Sequence, residues 1–166
     1  MLTGNPGHAE YFDYLGLHRY SLTFCTYNRA HHFTDNSRVD LVLEQIVRSA
    51  TENEFGIFAY CFMPDHVHLL VEGLSDRSHA VTFIDRAKQY SGYYFKQAFG
   101  TRLWQRYGFE HTLRDDEIAL SVARYILDNR IRARLIQRVQ DYPFCGSLMH
   151  PLEHILEAVA IVPRWK

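Results

Sequence analysis

The sequence has few of the features that mark secreted, membrane-spanning or strongly basic proteins. Its three cysteines, Cys25, Cys61 and Cys145, are far apart and odd in number, so they predict reduced thiols in a cytoplasm rather than a disulfide framework. No apolar run approaches the roughly 20 residues of a membrane span. The N-terminus also lacks the basic and apolar regions of a secretion signal. We therefore expect a cytoplasmic protein that has no membrane partner.

An excess of positive charge is also missing. The 18 Lys and Arg residues are balanced by 19 Asp and Glu residues, which gives a net charge of −1. Binding to nucleic acid through bulk charge is therefore disfavoured, although a local basic patch is compatible with this balance. With 166 residues, 47% of them hydrophobic, the chain is expected to form a single domain over 1–166. Within it we expect an irregular arm over 1–17 and a C-terminal tail over 142–166.

What the sequence does contain is a His-x-His pair at the start of a predicted strand. A Pro64-Asp65 turn joins an aromatic strand to the segment that begins at His66. Because alternate side chains on a strand share a face, His66 and His68 point the same way. The opposite face is apolar and is expected to join the core through Val67, Leu69 and Val71. Two imidazoles at this spacing can bind a divalent ion if other ligands complete the shell, but a half-exposed surface pair without a ligand has the same spacing.

The order of the predicted elements favours an α+β fold. Hydrophobic periodicity and turn residues indicate strand, helix, strand, strand, helix, strand, helix. The predicted elements are a strand from His18, a helix from Val39 to Asn53 capped by Asn36 or Ser37, the hairpin, a helix capped by Ser75-Asp76 and ending at Phe99, a strand over 108–114, a helix after Asp115 that runs to Asn129, and a short helix from Pro151 to Ala160. This is a ferredoxin-like split β-α-β antiparallel sheet with an added C-terminal helix. Two helices would cover one face, and the face with the two histidines would stay free for a ligand.

The second predicted helix has cations and tyrosines on its surface. They are Arg86, Lys88 and Lys96 with Tyr90, Tyr93 and Tyr94. Aromatic rings and cations on one face suit a single-stranded nucleic acid, through base stacking and phosphate contacts. A tyrosine-rich helix that packs on a sheet fits the same pattern, so both interpretations stay open.

The last long predicted helix holds Tyr125 and Asn129 one turn apart, so both side chains are expected on one side of it. Leu120, Ala123 and Leu127 lie on roughly the opposite side and are expected to pack inward. Tyr125 then lies at the edge of a broad apolar stripe. From this helix alone, a tyrosine that only packs, with an asparagine near the C-cap, is the simpler interpretation.

Taken together, these motifs resemble the single-tyrosine HUH transposases, and particularly their REP-associated branch. The resemblance covers residues 10–145 and includes Met63-Pro64-Asp65 before His66-Val67-His68, then Trp104-Gln105, then Tyr125 and Asn129. A His-x-His pair alone would be a weak signal, but here the residue types, their order and their spacing all agree. The resemblance implies that His66, His68 and Asn129 bind a divalent metal ion, Mg²⁺ or Mn²⁺, and that Tyr125 is the nucleophile.

The resemblance also implies a reaction and a substrate. The expected reaction is metal-dependent nicking and strand transfer of single-stranded DNA at hairpins, through a covalent 5′-phosphotyrosine intermediate, in DNA transposition. The candidate DNA contacts are Arg86, Lys88, Trp104, Arg106, His111, Arg130, Arg132 and Arg134. Trp104 could stack on a base and could equally belong to the core. The protein would be cytoplasmic and nucleoid-associated, and would act as a monomer or a homodimer.

Two other functions are compatible with the sequence. A catalytically inactive DNA-hairpin-binding module of the same fold predicts binding with neither metal dependence nor a covalent adduct. An unrelated ferredoxin-like metalloenzyme, such as a hydrolase that uses a metal-bound water, predicts an activity that survives Tyr125→Phe.

Overall fold

A computed structural model describes residues 15–107, 109–113, 116–132 and 143–161. Along these residues, five strands and four α-helices follow one another, with a short 3₁₀ turn after the first strand. They are β1 (Arg19–Cys25), the 3₁₀ turn (Tyr27–Arg29), α1 (Asn36–Glu52), β2 (Phe55–Met63), β3 (His66–Gly73), α2 (Ala80–Phe99), β4 (Phe109–Leu113), α3 (Asp116–Arg132), β5 (Cys145–Gly146) and α4 (Leu152–Ala160). Most of the predicted N-terminal arm, residues 1–14, lies outside the described residues.

The five strands form one antiparallel sheet in the order β4-β1-β3-β2-β5. The order of the first four strands is that of the ferredoxin-like split β-α-β plan, so the predicted α+β fold class is confirmed. The sequence did not predict β5, because a strand of two residues is too short to produce a recognisable alternation.

One apolar core lies between the sheet and the pair α1 and α2. The side chains of Val67, Leu69 and Val71 are fully buried there, as the alternation along β3 predicts. Ile46 of α1 and Phe83 of α2 pack against them from the helical layer. This core fixes the register of β3, because a slip of one residue would turn the apolar side chains to the other face.

A second apolar core lies on the opposite face of the sheet, where the sequence predicted a free surface. It joins Leu70 of β3 to Ala123 and Leu127 of α3 and to Ile155 of α4. The prediction of an open face is therefore wrong for this part of the sheet. The inward stripe of α3 is long enough to pack on the sheet, and α4 covers its flank. The segment 143–161, predicted as part of a tail, contributes β5 and α4 to this layer.

The first two helices end where the sequence predicted, but they start at other residues. α1 is capped by Asp35, whose carboxylate accepts from the backbone N–H of Arg38, rather than by Asn36 or Ser37. α2 begins at Ala80 with His79 as its cap, and not at Ser75-Asp76. The Ser75 hydroxyl instead donates to the Glu54 carboxylate. α2 ends at Gly100, whose φ of 73° is a left-handed conformation that favours glycine.

All three cysteines are buried as reduced thiols, as predicted. Within the described residues, no helix has both the length and the apolar character needed to cross a membrane.

Candidate metal-binding and nucleophile site

The His-x-His pair lies at the start of β3, directly after the Pro64-Asp65 turn. In the sheet, His68 is opposite Thr23 of β1 and Cys61 of β2. His66 is opposite Cys25 on one side and Met63 on the other. The pairing therefore puts both imidazoles on the face that carries α3.

The two imidazoles face each other through their Nε2 atoms. These atoms are 3.1 Å apart, and the ring planes are nearly perpendicular at 86°. On the far side of each ring, Nδ1 has its own partner. His66 Nδ1 is 2.6 Å from the carboxylate of Asp65, and His68 Nδ1 is 3.0 Å from the hydroxyl of Thr23. One nitrogen of each ring is thus held by a neighbouring side chain, and the two remaining nitrogens lie within hydrogen-bond distance of each other.

This arrangement fits a divalent ion bound by both rings. Two imidazole nitrogens this close together would both be able to contact one ion. An ionised carboxylate only accepts hydrogen bonds, so His66 must donate its Nδ1–H to Asp65, which leaves the Nε2 lone pair available. Burial and, to a smaller extent, the nearby charges of His66 and Arg29 lower the pKa of His68 to about 4. His68 is therefore neutral at physiological pH, which is the form that binds metals.

The rest of a metal shell would have to come from other ligand types. Among the residues that the structure describes, no group of three or more His, Cys, Asp and Glu could hold an ion. Amide, water and phosphate oxygens are suitable additional ligands for a hard divalent cation. Asn129, the predicted third ligand, is half-buried on α3.

Tyr125 of α3 lies beside this pair. Its ring centroid is 6.3 Å from that of His68, with the planes at 79°, and 47% of the residue is exposed. The buried neighbours Ala123, Ile126 and Leu127 hold α3 against the sheet. The helix therefore brings Tyr125 to the histidine pair, while Asn129 follows one turn later.

The predicted DNA contacts on α2 and the following segment have different environments. Arg86 and Arg106 are exposed, and the Arg106 guanidinium is 5.3 Å from the ring centroid of exposed Tyr107. Lys88 instead donates to the backbone carbonyls of Gln105 and Arg106, at 3.0 and 3.2 Å. Burial also lowers the pKa of Lys88. Its ammonium group holds the segment after α2, which favours a structural role.

Trp104 is a core residue. It is 6% exposed, packs against Phe24 and Phe33, and donates its indole N–H to the Ser91 hydroxyl at 2.8 Å. Of the two roles that the sequence left open, the structure favours packing over base stacking, because the indole faces are covered.

For the remaining predicted DNA contacts, the structure gives only the position of the backbone, or the residue lies outside the described part of the chain. His111 pairs with Ser21 across β4 and β1, in the row that continues to Leu70. Arg130 and Arg132 lie in the last turn of α3. Arg134 lies outside the described residues.

Three neighbours of the histidines were not predicted as site residues: Thr23, Arg29 and Asp65. Asp65 directly precedes His66, and this adjacency could have predicted that Asp65 belongs to the site. The sequence does not tell, however, whether its carboxylate contacts His66 or faces solvent. The other two approach from β1 and the turn after it, and the sequence carries no sign of that approach. Arg29 donates to the Asp65 carboxylate at 2.8 Å.

Comparison with known sequences identifies the family of this chain. The sequence profile described as "Transposase IS200 like" matches residues 15–129. That match runs from before β1 to Asn129, so it includes both histidines and Tyr125. The chain belongs to the IS200-like transposase family.

One relative in sequence and one solved structure are also similar to this chain. A Haemophilus influenzae protein assigned as a REP-associated tyrosine transposase is 28% identical over 101 residues, and the match covers 54% of this chain and 57% of that protein. The chain thus matches little more than half the length of that relative. A solved structure of a REP-associated tyrosine transposase bound to a REP hairpin superposes with a TM-score of 0.70 at 20% identity, over 96% of this chain and 92% of that one. This likeness confirms the fold.

Proposed function

We propose that this protein nicks and transfers single-stranded DNA at hairpins in DNA transposition, through a covalent bond to Tyr125. A divalent ion, Mg²⁺ or Mn²⁺, would be held by His66, His68 and Asn129. Membership of a transposase family and the resemblance to the single-tyrosine branch support the class of reaction. The residue roles are supported by the arrangement of side chains around β3 and α3.

The position of Tyr125 beside His68 carries this proposal. The two ring centroids are 6.3 Å apart, and His68 Nε2 is in turn 3.1 Å from His66 Nε2. A phenol that can act as a nucleophile therefore adjoins two imidazole nitrogens suited to a metal ion. A tyrosine that served only to pack would gain nothing from exposure at this point, whereas a nucleophile must be reached by its substrate.

The ion, when bound, would polarise a non-bridging oxygen of the scissile phosphate and offset charge that develops there. The chain's own residues supply the rest. Asp65 and Thr23 hold the outer nitrogens of the two histidines, which keeps the two Nε2 atoms next to each other. α3 fixes the approach of Tyr125, because its inner face is packed on the sheet.

The step at Tyr125 is a displacement at phosphorus without a change of oxidation state. A bond forms between the phenol oxygen and phosphorus, and the bond from phosphorus to the 3′ oxygen of the leaving strand breaks. The phenolic proton passes to solvent water, and the departing 3′ oxygen takes up a proton from solvent to become a hydroxyl. The product is DNA joined to Tyr125 through a 5′-phosphate. Attack by a 3′-hydroxyl on this phosphotyrosine reverses the step and joins two strands.

The proposed substrate is hairpin DNA, as in the relative solved with a REP hairpin. The exposed side chains of Arg86 and Arg106 are suited to phosphate contacts, and Tyr107 beside Arg106 to stacking on an unpaired base. His111, Arg130, Arg132 and Arg134 stay candidate contacts. Such a protein would act in the cytoplasm on nucleoid DNA, as a monomer or a homodimer.

A denaturing gel tests the proposal. The wild-type protein, Tyr125→Phe and the matched control Tyr93→Phe, an exposed tyrosine of α2, are mixed with labelled single-stranded hairpin DNA from beside the gene. Each mixture is prepared with Mn²⁺ and with a chelator. We expect a protein-sized labelled band with Mn²⁺ for the wild type and Tyr93→Phe. For Tyr125→Phe we expect the intensity of this band to fall at least about a thousandfold. With chelator, we expect the band to vanish for the wild type and for Tyr93→Phe.

Two results would overturn the proposal in different ways. Hairpin binding without cleavage or adduct, across several hairpins and metals, would leave a DNA-binding module of the same fold. Cleavage that persists in Tyr125→Phe would point to a hydrolase that uses a metal-bound water.

A further inference from the structure

A chain of charged contacts runs behind His66, on the side away from His68. Asp65 accepts from His66 Nδ1 through one carboxylate oxygen at 2.6 Å. Its other oxygen accepts from Arg29 Nε at 2.8 Å. A second guanidinium nitrogen, Nη1, is 2.9 Å from the Cys25 sulfur. Both oxygens of Asp65 are thus engaged, one by the imidazole and one by the guanidinium.

The backbone around this chain of contacts is fixed by bonds that do not involve the two side chains. Thr26 donates its backbone N–H and its hydroxyl to the Asp65 carbonyl, at 2.9 and 3.0 Å. Phe33 donates its backbone N–H to the Pro64 carbonyl at 3.0 Å. The turn before His66 is therefore tied to the segment after β1. Truncation of the Asp65 side chain should leave the turn in place.

Arg29 reaches Asp65 from an unusual backbone conformation. Asn28 and Arg29 have φ values of 55° and 54°, in the left-handed region that residues other than glycine rarely adopt. Such conformations persist when surrounding contacts hold them, and they cluster at functional sites. Here the two bonds of the Arg29 guanidinium and the tie from Thr26 hold the turn.

The contact between Asp65 and His66 is also better shielded than an ordinary surface ion pair. The side chains of Asp65 and His66 are 19% and 17% exposed, and that of Arg29, on the outer side of Asp65, is 54% exposed. Arg77 and Glu54 make a pair of similar length, 2.7 Å, but their side chains are 83% and 37% exposed. Charge-assisted hydrogen bonds gain in strength as water is excluded, whereas exposed pairs contribute little. The Arg77 pair is therefore a matched control.

We propose that Asp65 and Arg29 are positioning residues for His66: Asp65 fixes the tautomer and orientation of the imidazole, and Arg29 acts through Asp65 by holding its second oxygen. The proposal rests on the proposed function only in treating His66 as a metal ligand. A carboxylate on the outer nitrogen of a ligating histidine keeps the inner nitrogen unprotonated and directed at the ion. A carboxylate held at only one oxygen could rotate about its side-chain bonds, and the guanidinium opposes that rotation.

Binding of Mn²⁺, measured by titration calorimetry on the full chain, tests the first part. Asp65→Ala should weaken binding by about 10- to 100-fold, and Asp65→Asn by less, because its amide oxygen can still accept from Nδ1. Arg29→Ala should weaken it by up to about tenfold, with partial rescue in Arg29→Lys, and Arg77→Ala should leave it unchanged. Unchanged affinity in a folded Asp65→Ala protein would overturn the role of Asp65.

A double substitution tests whether Arg29 acts through Asp65. If it does, Arg29→Ala should add nothing in the Asp65→Ala background, because the group that it holds is gone. If the two losses of Mn²⁺ affinity instead multiply in the double variant, Arg29 does not act through Asp65 and has an independent role.

The tautomer of His66 is a readout that needs neither metal nor DNA. Imidazole ¹⁵N shifts of the metal-free protein, at a pH where the ring is neutral, should report Nδ1–H for His66 in the wild type. In Asp65→Ala a larger share of Nε2–H should appear, and Arg77→Ala should match the wild type. A wild-type ring with Nε2–H would overturn the positioning role. If instead the ring is Nδ1–H as expected but no Mn²⁺ binds, the positioning stands and the proposed metal-dependent function fails.

Discussion

The indole of Trp104 is enclosed between β1 and α2, and its N–H is satisfied by Ser91 at 2.8 Å. Ring contacts with Phe24 and Phe33 complete its surroundings. An aromatic side chain in this position contributes buried area and a hydrogen bond to the core. A base could reach its faces only if the core opened.

Trp104→Phe therefore separates stability from DNA binding. We expect the free energy of unfolding to fall by about 1–3 kcal/mol, from the lost hydrogen bond and volume, and hairpin affinity to stay within about twofold. Denaturant titration and fluorescence anisotropy measure the two quantities. The exposed control Arg106→Ala should do the reverse, with weaker, salt-sensitive binding and little change in stability. A large affinity loss in Trp104→Phe at unchanged stability would contradict the core assignment.

Single residues near the site were predictable where they belong to a local pattern. The face of β3 that carries His66 and His68 follows from strand alternation, and the neighbourhood of Tyr125 and Asn129 from helix periodicity. The contacts of Thr23 and Arg29 were not predictable, because they join residues far apart in sequence. Their partners depend on the register of β1 against β3, which the sequence pattern does not specify to one residue.

At the scale of elements, the start of α1 depends on Asp35. Its carboxylate accepts from the backbone N–H of Arg38 at 2.9 Å and from the Ser37 hydroxyl at 2.6 Å. The hydrogen bond from Ser37, followed by that from Arg38, lowers the pKa of Asp35 to about 2. The cap is thus stronger when Asp35 is ionised.

This cap predicts a defined dependence of stability on pH. Asp35→Ala should lower the free energy of unfolding by about 0.5–2 kcal/mol at neutral pH. Because the folded-state pKa is depressed, the contribution of the charge is present above the unfolded-state pKa of about 3.9 and is lost as pH falls towards about 2. Asp35→Asn keeps a capping side chain without the charge, so wild type and Asp35→Asn should converge in denaturant titrations over that range. A constant difference would contradict the assignment.

Helix ends were easier to predict than helix starts. Gly100 ends α2 because it adopts a left-handed conformation. Glycine favours this conformation, so the residue type alone predicts the end of the helix. Ser75 and Asp76 also have the side chains of a cap. However, Ser75 donates to the Glu54 carboxylate and Ser78 donates to the Glu54 carbonyl, so this segment is bound to the turn between α1 and β2 instead. A long-range contact displaced a local preference.

At the scale of the whole molecule, two cores on opposite faces of one sheet have different roles. The core under α1 and α2 fixes the strands, and the core under α3 and α4 fixes the helix that carries Tyr125. The sequence predicted the first because its helices have clear apolar stripes. It missed the second because Leu70 shares a face with two polar histidines, so that face looked solvent-exposed.

Ile155 of α4 tests this coupling between layers. It is 3% exposed and packs in the second core. Ile155→Ala should lower the free energy of unfolding by about 2–5 kcal/mol, because it leaves a cavity behind α3, and adduct formation should slow at temperatures where the variant is still folded. Ile161→Ala, at an 85% exposed isoleucine beyond α4, should change neither. Normal stability in Ile155→Ala would mean that α4 does not support α3.

The central claim is that Tyr125 forms the bond to DNA. The most direct measurement is mass spectrometry of the trapped complex after nuclease and protease digestion, because the chain has 11 tyrosines and only the peptide map distinguishes them. We predict a nucleotide mass, linked through phosphate, on Tyr125 and on no other residue. A nucleotide on another side chain, or cleaved DNA without any modified peptide, would contradict the account.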